Sequence, residues 1–309
     1  MITITIPCLN EEENIRPLYE ELINVLKALD KDYEIIFVDD GSSDKSLNEM
    51  KKLKKQDPKI KIIKFRKNFG QSAALNAGFK QAKGKIVISM DCDLQNDPKD
   101  IPRLLEKLNQ GFDCVSGWRK ERKDPLTKKI SSKCAARMRK FFLGTNLHDF
   151  GCTLKAYKKE CLKDLDLHGE MHRYIPPLLS WKGYKTTEIQ VNHRKRIKGK
   201  TKYSWKRLGK GFIDMINVWF WKKYSQRPLH IFGGFGMASF IIGFLSGRYS
   251  IYLKIFRSTD LSSTFLPVFS VFMVMIGIQF FISGLLADIS IKNYHEKRKD
   301  SYNIEKIID

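Results

Sequence analysis

The sequence predicts an α/β domain followed by two membrane-spanning helices. Segments with strand and helix signals alternate over the first 118 of the 309 residues, which is the order of βαβ units. Carboxylates follow two of the predicted strands, and α/β sheets bind their ligands where the strands end. Two long apolar stretches lie between residues 231 and 287. We therefore expect one soluble domain with a membrane anchor.

Five apolar segments have the length and composition of β-strands. They cover residues 2–6, 34–38, 61–65, 86–90 and 113–117. Helices are predicted to begin near Asn10, at Ser43 or Asp44, near Gln71 and near Pro98. Asn10 and Glu13 have the spacing of a capping box, which places the first helix start at Asn10. This order of elements implies a parallel, doubly wound sheet.

The two apolar stretches are long enough to cross a membrane. Residues 264–287 form 24 positions without a charged side chain, enough for about 30 Å of hydrocarbon at 1.5 Å per residue. Residues 231–247 form 17 uncharged positions, which extend further if Arg248 reaches the headgroups. Basic residues flank the pair and favour cytoplasmic ends, although basic residues of the connecting loop oppose this orientation. The first residues lack the pattern of a signal peptide, so we expect the α/β domain in the cytosol.

Positive charge is concentrated in the middle third of the chain. Lys and Arg number 56 against 34 Asp and Glu, a formal charge of +22. Residues 1–118 are neutral overall, residues 119–228 carry 29 basic and 9 acidic side chains, and residues 229–309 carry 8 and 6. This distribution favours membrane lipids or phosphate groups as partners. The six cysteines include no CxxC pair, which argues against a disulfide scaffold or a structural zinc site.

Two carboxylate-rich motifs follow predicted strands, DDGS at 39–42 and DCDLQ at 91–95. The turn after the first strand has no glycine and the chain has no GxxxxGK[ST] motif, which disfavours a dinucleotide fold or a P-loop. If a diphosphate binds beside these carboxylates, a divalent cation must lie between them. Asp91, Asp93 and Gln95 offer hard oxygen ligands at alternate positions, which suits Mg²⁺ or Mn²⁺.

Six segments together form a specific set of motifs. They are PCLNEEEN (7–14), DDGS (39–42), GQSAALNAG (70–78), DCDLQ (91–95), GWR (117–119) and HRKRIKGKTKYS (193–204). This set resembles the inverting family 2 glycosyltransferases that load a sugar onto polyprenyl phosphate, such as dolichyl-phosphate mannosyltransferases and bactoprenol glucosyltransferases. The resemblance implies a Rossmann-like GT-A fold, a nucleotide-sugar donor and a divalent metal.

The resemblance also assigns roles by position. The implied metal ligands are Asp91, Asp93 and Gln95. The implied nucleotide-sugar pocket comprises Pro7, Asn10, Glu11, Asp39, Asp40, Asp91, Arg196 and Lys202. The implied lipid-phosphate site comprises Arg119, Lys128 and Ser132. The expected catalytic residues are Asp91, Asp93, Arg119 and Arg196. Lys128 and Lys155 stand where Arg is expected and Thr201 where Ser is expected, and Lys lacks the bidentate fork of Arg.

The combined expectation is inverting, metal-dependent transfer of a hexose from a donor of the UDP-glucose or GDP-mannose type. Polyprenyl phosphate at the cytoplasmic leaflet is the expected acceptor. The expected organisation is a cytoplasmic GT-A domain over 1–204, amphipathic interfacial helices over 205–228, a transmembrane hairpin over 229–291 and a cytoplasmic tail over 292–309. The two helices of the hairpin are expected at about 229–253 and 264–287.

Two alternatives stay open from the sequence. A processive polysaccharide synthase needs more spans and usually a QxxRW segment, and neither is present in this sequence. The second alternative is a non-enzymatic basic membrane-associated protein that binds phosphate groups through its charge of +22. The acidic sheet edge counts against this alternative and against a nucleic-acid partner. The motifs leave undetermined the donor base, the sugar, the polyprenyl length class and whether the protein is a homo-oligomer.

Overall fold

The protein divides into two compact units, Met1–Val218 and Trp219–Asp309. The structure is a computed structural model, and it describes residues 1–120, 144, 147–163, 165, 167, 169–194, 228–258 and 260–296. The described part of the first unit is an α/β domain. The described part of the second unit is a pair of long helices.

The α/β domain contains seven strands and five helices in its described part. In chain order they are β1 (Ile2–Cys8), α1 (Ile15–Ala28), β2 (Tyr33–Asp39), α2 (Ser46–Gln56), β3 (Ile60–Lys64), α3 (Gln71–Gln81), β4 (Ile86–Ser89), α4 (Ile101–Asn109), β5 (Cys114–Trp118), β6 (Lys155–Lys158), α5 (Ile175–Trp181) and β7 (Thr186–Gln190). Short 3-10 turns cover Pro98–Asp100, Lys159–Leu162 and Met171–Tyr174. The five predicted strands are confirmed, as are helices near Gln71 and after Pro98. The strands β6 and β7 were not predicted.

The strands form one mixed sheet in the order β3-β2-β1-β4-β6-β5-β7. Strands β1 to β4 are mutually parallel where they pair, but β6 runs antiparallel to both of its neighbours, β4 and β5. The prediction of a parallel sheet is therefore wrong at β6. The chain leaves the sheet at the end of β5 and re-enters at the same edge, so the returning strand must run in the opposite direction.

Apolar layers cover both faces of the central strands. Ile2, Ile4 and Ile6 of β1 pack in one core cluster with Leu18 and Leu22 of α1. A second cluster, on the other side of the sheet, contains Val38, Leu75 and Phe79 with residues from β5, β6 and α5. The sheet edge that carries the ends of β1, β2 and β4 lies between these layers, and the polar residues there are held by a rigid support.

The first helix begins at Ile15, with Asn14 at its N-cap, and the predicted capping box at Asn10 and Glu13 is wrong. Asn10 has a φ of +55° and its side-chain oxygen accepts a hydrogen bond from the backbone N–H of Ser43 at 2.8 Å. Asn10 therefore joins two loops instead of starting a helix. Helix α2 has Lys45 at its N-cap, one residue after the predicted Ser43 or Asp44, and Asp44 accepts a hydrogen bond from the N–H of Ser46 at 2.9 Å.

Helix α3 approaches β1 closely at Gly78. A Cβ atom at this position would lie 2.1 Å from Cγ2 of Thr5, so either the helix or the buried Thr5 side chain would have to shift. Gly78 therefore sets the distance between α3 and the sheet. The amino-terminal residue of α3 is Gln71, two turns away, which reaches the functional edge of the sheet.

The second unit contains α6 (Pro228–Arg257) and α7 (Leu266–Glu296), joined through a 3-10 turn at Leu261–Ser263. Among the described residues, these two helices are long and apolar enough to cross a membrane. Large apolar side chains project outward along both, including Phe244 of α6 with 73% of its surface exposed and Val268 of α7 with 65%. Helix α6 extends past the expected end at 253, and α7 extends past the expected end at 287.

Small residues at seven-residue intervals form the contact between α6 and α7. They are Gly236, Gly243 and Ser250 on α6 and Ser270, Gly277 and Gly284 on α7. A Cβ at Gly277 would lie 3.0 Å from the carbonyl oxygen of Gly236, and the hydroxyl of Ser270 donates to the carbonyl of Gly243 at 2.7 Å. The backbones can approach closely only because these side chains are small.

Candidate active site

The candidate site lies at the edge of the sheet where β1, β2 and β4 end. Pro7 lies opposite Val38 in the register of β1 and β2, and Cys8 lies opposite Asp39. The strands are parallel, so their carboxyl ends bring the PCLNEEEN, DDGS and DCDLQ segments to one edge. The predicted juxtaposition of these three segments is confirmed.

Hydrogen bonds tie the loop after β1 to the loop after β2. The N–H of Asn10 donates to Oγ of Ser42 at 3.0 Å, and the N–H of Glu11 donates to Oγ of Ser46 at 2.9 Å. Together with the bond from Ser43 to Asn10, these contacts fix the glycine-free first turn without a phosphate-binding glycine loop. The Asn10 and Glu11 segment is therefore held in one conformation beside Asp39.

The two aspartates of DDGS have different surroundings. Asp40 accepts hydrogen bonds at both carboxylate oxygens, from the N–H groups of Phe69 at 2.7 Å and Gly70 at 3.0 Å, and so orients the loop before α3. Asp39 is fully buried and its Oδ1 accepts from the N–H of Ser42 at 2.9 Å. Its Oδ2 has no hydrogen-bond partner among the described residues, and a buried acceptor without a donor carries a free-energy cost that a bound N–H group can remove.

Asp91 is fixed at both carboxylate oxygens after β4. Nε2 of Gln71 donates to Oδ1 at 2.6 Å, and Oγ1 of Thr153 donates to Oδ2 at 2.7 Å. Burial, followed by the negative charge of Asp93, raises the pKa of Asp91 from an ordinary 3.8 to about 6, while Thr153 and nearby cations oppose the shift. The neighbouring carboxylates therefore repel each other at neutral pH.

A divalent cation fits this pair of carboxylates. The described residues contain no group of three or more His, Cys, Asp or Glu side chains able to hold a metal, so Asp91 and Asp93 would share it with other oxygens. The mutual repulsion of the two carboxylates is the electrostatic condition that a cation relieves, and their oxygens are the hard ligands that Mg²⁺ and Mn²⁺ prefer. The side-chain amide of Gln95 lies within 3.5 Å of the carbonyl oxygen of Arg194.

Arg119 lies directly after β5 and is paired with Asp149. Its Nε and Nη2 donate to the two carboxylate oxygens of Asp149 at 2.6 and 2.9 Å. Burial alone would lower the pKa of the guanidinium, but the hydrogen bonds and charge of Asp149 raise it, so Arg119 is always cationic. It also acts at longer range on Asp91, whose pKa it lowers.

The segment around Arg119 has further support. The ring of Trp118 stacks on the ring of His148 with centroids 4.2 Å apart, and Nδ1 of His148 is hydrogen-bonded to Glu188 of β7. The N–H of His148 also donates to Glu188 at 2.8 Å. The direction of the chain after β5 is therefore set by an aromatic stack and by the hydrogen bonds of His148 to Glu188.

Lys155 is a buried cation next to this site. It is 2% exposed on β6, two positions after Thr153, and its Nζ donates to the carbonyl of His172 at 3.4 Å. Burial lowers the pKa of Lys155, and the charges of Asp149 and Asp91 counteract this effect. The lysine that replaces an expected arginine is thus inside the domain, where it supplies a positive charge near two carboxylates.

Four of the expected site residues lie outside the described residues. They are Lys128, Ser132, Arg196 and Lys202.

Other residues of the site were not predicted from the sequence. Gln71 lies in a quoted motif, but nothing in that motif indicates its bond to Asp91. Thr153 and Asp149 precede β6, which itself was not predicted. His172 bonds Oγ of Ser72 through Nδ1 at 2.8 Å in the interior of the domain.

A mixed sheet in this order, with carboxylates at the ends of β2 and β4, defines a GT-A type nucleotide-sugar transferase. The chain belongs to glycosyl transferase family 2, and the model of that family matches residues 3–166.

Its curated relatives align over nearly the whole chain. Dodecaprenyl-phosphate galacturonate synthase of Rhizobium johnstonii is 33% identical over 314 residues, covering 100% of this chain and 93% of its own. Undecaprenyl-phosphate 4-deoxy-4-formamido-L-arabinose transferase of Proteus mirabilis is 33% identical over 310 residues, covering 99% and 94%. Glucosyl-3-phosphoglycerate synthase of Mycobacterium tuberculosis, solved with Mn²⁺, UDP and phosphoglyceric acid, superposes with a TM-score of 0.55 at 19% identity, covering 72% of this chain and 78% of its own. This structural likeness supports the fold.

Proposed function

We propose that the protein transfers a sugar from a nucleotide-diphosphate sugar to polyprenyl phosphate, with inversion at the anomeric carbon. The observation that carries the proposal is the meeting of Asp39, Asp91 and Asp93 at one sheet edge, with Arg119 after β5, which β6 separates from β4. The relatives named for polyprenyl-phosphate sugars match this chain along its whole length, including its apolar helices.

The donor nucleotide would bind beside β1 and β2. The unpartnered Oδ2 of Asp39 is suited to accept a hydrogen bond from a ring N–H of the base, which both uracil and guanine possess. Pro7, Asn10 and Glu11 border the same edge. Asp40 acts indirectly, because its carboxylate is engaged by the backbone before α3.

Asp91 and Asp93 would hold a Mg²⁺ or Mn²⁺ ion with Gln95. Such an ion, when bound, screens the diphosphate from the carboxylates and stabilises negative charge on the leaving group. Gln71 and Thr153 hold the carboxylate of Asp91 in one orientation for this purpose. Arg196 and Lys202 remain the expected additional contacts to the diphosphate.

The acceptor needs alignment more than proton removal. A lipid phosphate is already ionised at pH 7, so its oxygen can attack without a strong general base. Arg119 would orient this phosphate, with Lys128 and Ser132 as the other expected contacts, and Asp149 fixes the direction of the guanidinium. A single in-line displacement inverts the anomeric carbon, provided donor and acceptor phosphates lie on opposite sides of it.

The transferred sugar is the least defined part of the proposal. The motifs in the sequence favour a hexose donor of the UDP-glucose or GDP-mannose type. The names of the relatives mention galacturonate and 4-deoxy-4-formamido-L-arabinose instead. The proposal therefore covers nucleotide-diphosphate forms of all four sugars, and the donor must be identified by assay.

The proposed location is the membrane, with the catalytic domain on the cytoplasmic side. Helices α6 and α7 meet the length and hydropathy of membrane spans, and their outward apolar side chains suit a lipid environment. The basic residues of 119–228 would attract the protein to anionic lipids. A homo-oligomer is compatible with this location.

The test is a transfer assay with detergent-solubilised full-length protein, polyprenyl phosphate and a panel of labelled nucleotide sugars, with and without EDTA. We expect one labelled lipid product whose formation stops with EDTA and returns with Mn²⁺. A long polymer would favour a processive synthase. Absence of transfer from every donor, with binding of anionic lipid only, would favour the non-enzymatic alternative.

A further inference from the structure

The loop that carries the metal-binding carboxylates has a strained backbone. Leu94, between Asp93 and Gln95, has a φ of +61° and a side chain that is 7% exposed. A non-glycine residue rarely adopts this left-handed conformation, and it persists only where surrounding contacts enforce it. The contacts that enforce it therefore contribute to the placement of Asp93 and Gln95.

These contacts come mainly from the segment after β7. The N–H of Arg194 donates to the carbonyl of Gln95 at 2.9 Å, and Asn96 forms an antiparallel β-bridge with His193. The N–H of Asn192 donates to the carboxylate of Asp100 at 2.7 Å, further along the same loop. Residues 192–194 thus run beside the loop, held by one isolated β-bridge and by the N–H groups of Asn192 and Arg194.

The side chain of Arg194 clamps this arrangement. Its Nη1 donates to both carboxylate oxygens of Glu21 on α1, at 2.9 and 2.7 Å, and its Nη2 lies 2.8 Å from Oδ1 of Asp97. Asp97 is 7% exposed and also caps the 3-10 turn at Pro98–Asp100 by accepting from the N–H of Lys99. One guanidinium therefore joins the end of the metal loop, α1 and the segment after β7.

We propose that Arg194 is a positioning residue for metal binding, which acts by holding the loop from Asp91 to Asp97 in its strained conformation. The inference rests on the proposed metal-dependent function. Arg194 does not need to contact the ion, the donor or the acceptor. Its loss would let Leu94 relax out of the left-handed region, and Asp93 and Gln95 would turn away from Asp91.

The test measures Mn²⁺ binding to the full-length protein by electron paramagnetic resonance. We expect Arg194→Ala to weaken Mn²⁺ binding by about 10-fold or more, the usual scale for residues that orient metal ligands. Arg194→Lys should lose less, because one charged contact can remain, and Glu21→Gln should lose less because the contact to Asp97 persists. Transfer by Arg194→Ala should return towards the wild-type kcat at saturating Mn²⁺, so the defect lies in the metal concentration required.

The matched control is Arg173→Ala. Arg173 pairs with Glu170 at 3.2 Å, and the two side chains are 33% and 39% exposed, close to the 31% and 40% of Arg194 and Glu21. We expect this variant to bind Mn²⁺ within about twofold of wild type, since it touches no part of the loop.

The outcomes separate the two proposals. Unchanged Mn²⁺ binding in Arg194→Ala, or an equal loss in Arg173→Ala, overturns the positioning role alone. If circular dichroism shows that Arg194→Ala does not fold, the other two variants decide. Unchanged Mn²⁺ binding in both Arg194→Lys and Glu21→Gln then overturns the positioning role. A wild-type protein that binds no Mn²⁺ and transfers sugar in EDTA overturns the metal dependence of the proposed function.

Discussion

Arg119 and Asp149 form a bidentate ion pair in which both side chains are largely buried, with 12% and 10% of their surface exposed. The carboxylate uses both oxygens and also accepts from the N–H of Arg119 at 3.3 Å. Such a pair leaves the guanidinium little freedom to rotate. The end of β5 thus presents a cation in one fixed direction, which is what alignment of a phosphate requires.

Arg119→Ala should slow transfer by about 100-fold or more, the scale of losing a charged contact to a reacting group. Nucleotide affinity, measured by calorimetric titration of UDP and GDP, should change little, because the predicted role of Arg119 is on the acceptor side. Asp149→Asn should raise the KM for polyprenyl phosphate while it preserves nucleotide affinity. If nucleotide binding falls in parallel with activity in Arg119→Ala, the residue belongs to the donor site.

Asp93→Asn should abolish transfer at every concentration of Mg²⁺ or Mn²⁺. The substitution removes one of two carboxylates and leaves the diphosphate poorly screened from Asp91. Asp113→Asn is the control. Asp113 pairs with Lys158 and directly precedes β5, so it lies at the sheet edge opposite to the one that carries Asp93. Near-normal turnover of Asp93→Asn would disprove the metal assignment.

Stability of the metal-free protein should depend on Asp91 between about pH 4 and 6. The folded-state pKa of about 6 lies above the ordinary 3.8, so the folded state keeps this proton to higher pH than the unfolded state does. The favourable contribution is present at low pH and is lost as the pH rises through 6. In EDTA, the Tm difference between wild type and Asp91→Asn should therefore change across this window, and Mn²⁺ should reverse the trend. A constant difference would contradict the raised pKa.

Gly277→Leu should destabilise the helical hairpin by about 1–3 kcal/mol, the range for overpacking. A Cβ there would lie 2.9 Å from the ring of Phe240 and 3.0 Å from the backbone of Gly236. Gly234→Leu is the matched control, because a Cβ at that position would meet no described atom within 4 Å apart from its own chain neighbours and the backbone of its own helix. Thermal unfolding in detergent, followed by circular dichroism, should show a lower Tm for Gly277→Leu alone.

A reporter fused after Asp309 should report the cytoplasm, and a reporter inserted near Ser258 should report the opposite side of the membrane. The basic residues that flank the helix pair predict this orientation. Cytoplasmic signals from both positions would show that the segment at 228–257 lies in the interface or re-enters the same side.

The sequence predicted the first five strands because each is an apolar segment between clear helix signals. It did not predict β6 or β7, because these strands are short and their sequences, KAYK and TTEIQ, are largely polar. Lys155 is buried only because β6 is inserted between β4 and β5, and no local pattern shows that insertion. The antiparallel direction of β6 has the same origin.

In the candidate site too, residues in local motifs were predictable and residues that act through long-range contacts were not. Asp39, Asp91 and Asp93 were predictable because their motifs directly follow strands that end at one edge. The residues that orient them were not, because each acts across a long separation: Gln71 is 20 positions from Asp91, and Thr153 is 62. Arg194 and Glu21 are 173 positions apart. Only the folded chain brings such partners together.

The close approach at Gly78 affects how sequence variants of this protein should be interpreted. Gly78 lies seven positions after Gln71 in α3, and the present contact of α3 with Thr5 leaves no room for a Cβ at that position. An alanine there would displace either the helix or the Thr5 side chain. A displaced helix would carry Gln71, which lies about 10 Å from Gly78 along the helix axis, away from Asp91. A loss of activity in such a variant would reflect a misplaced carboxylate. A position outside the binding edge of the sheet can therefore matter for activity because it sets where Gln71 meets Asp91.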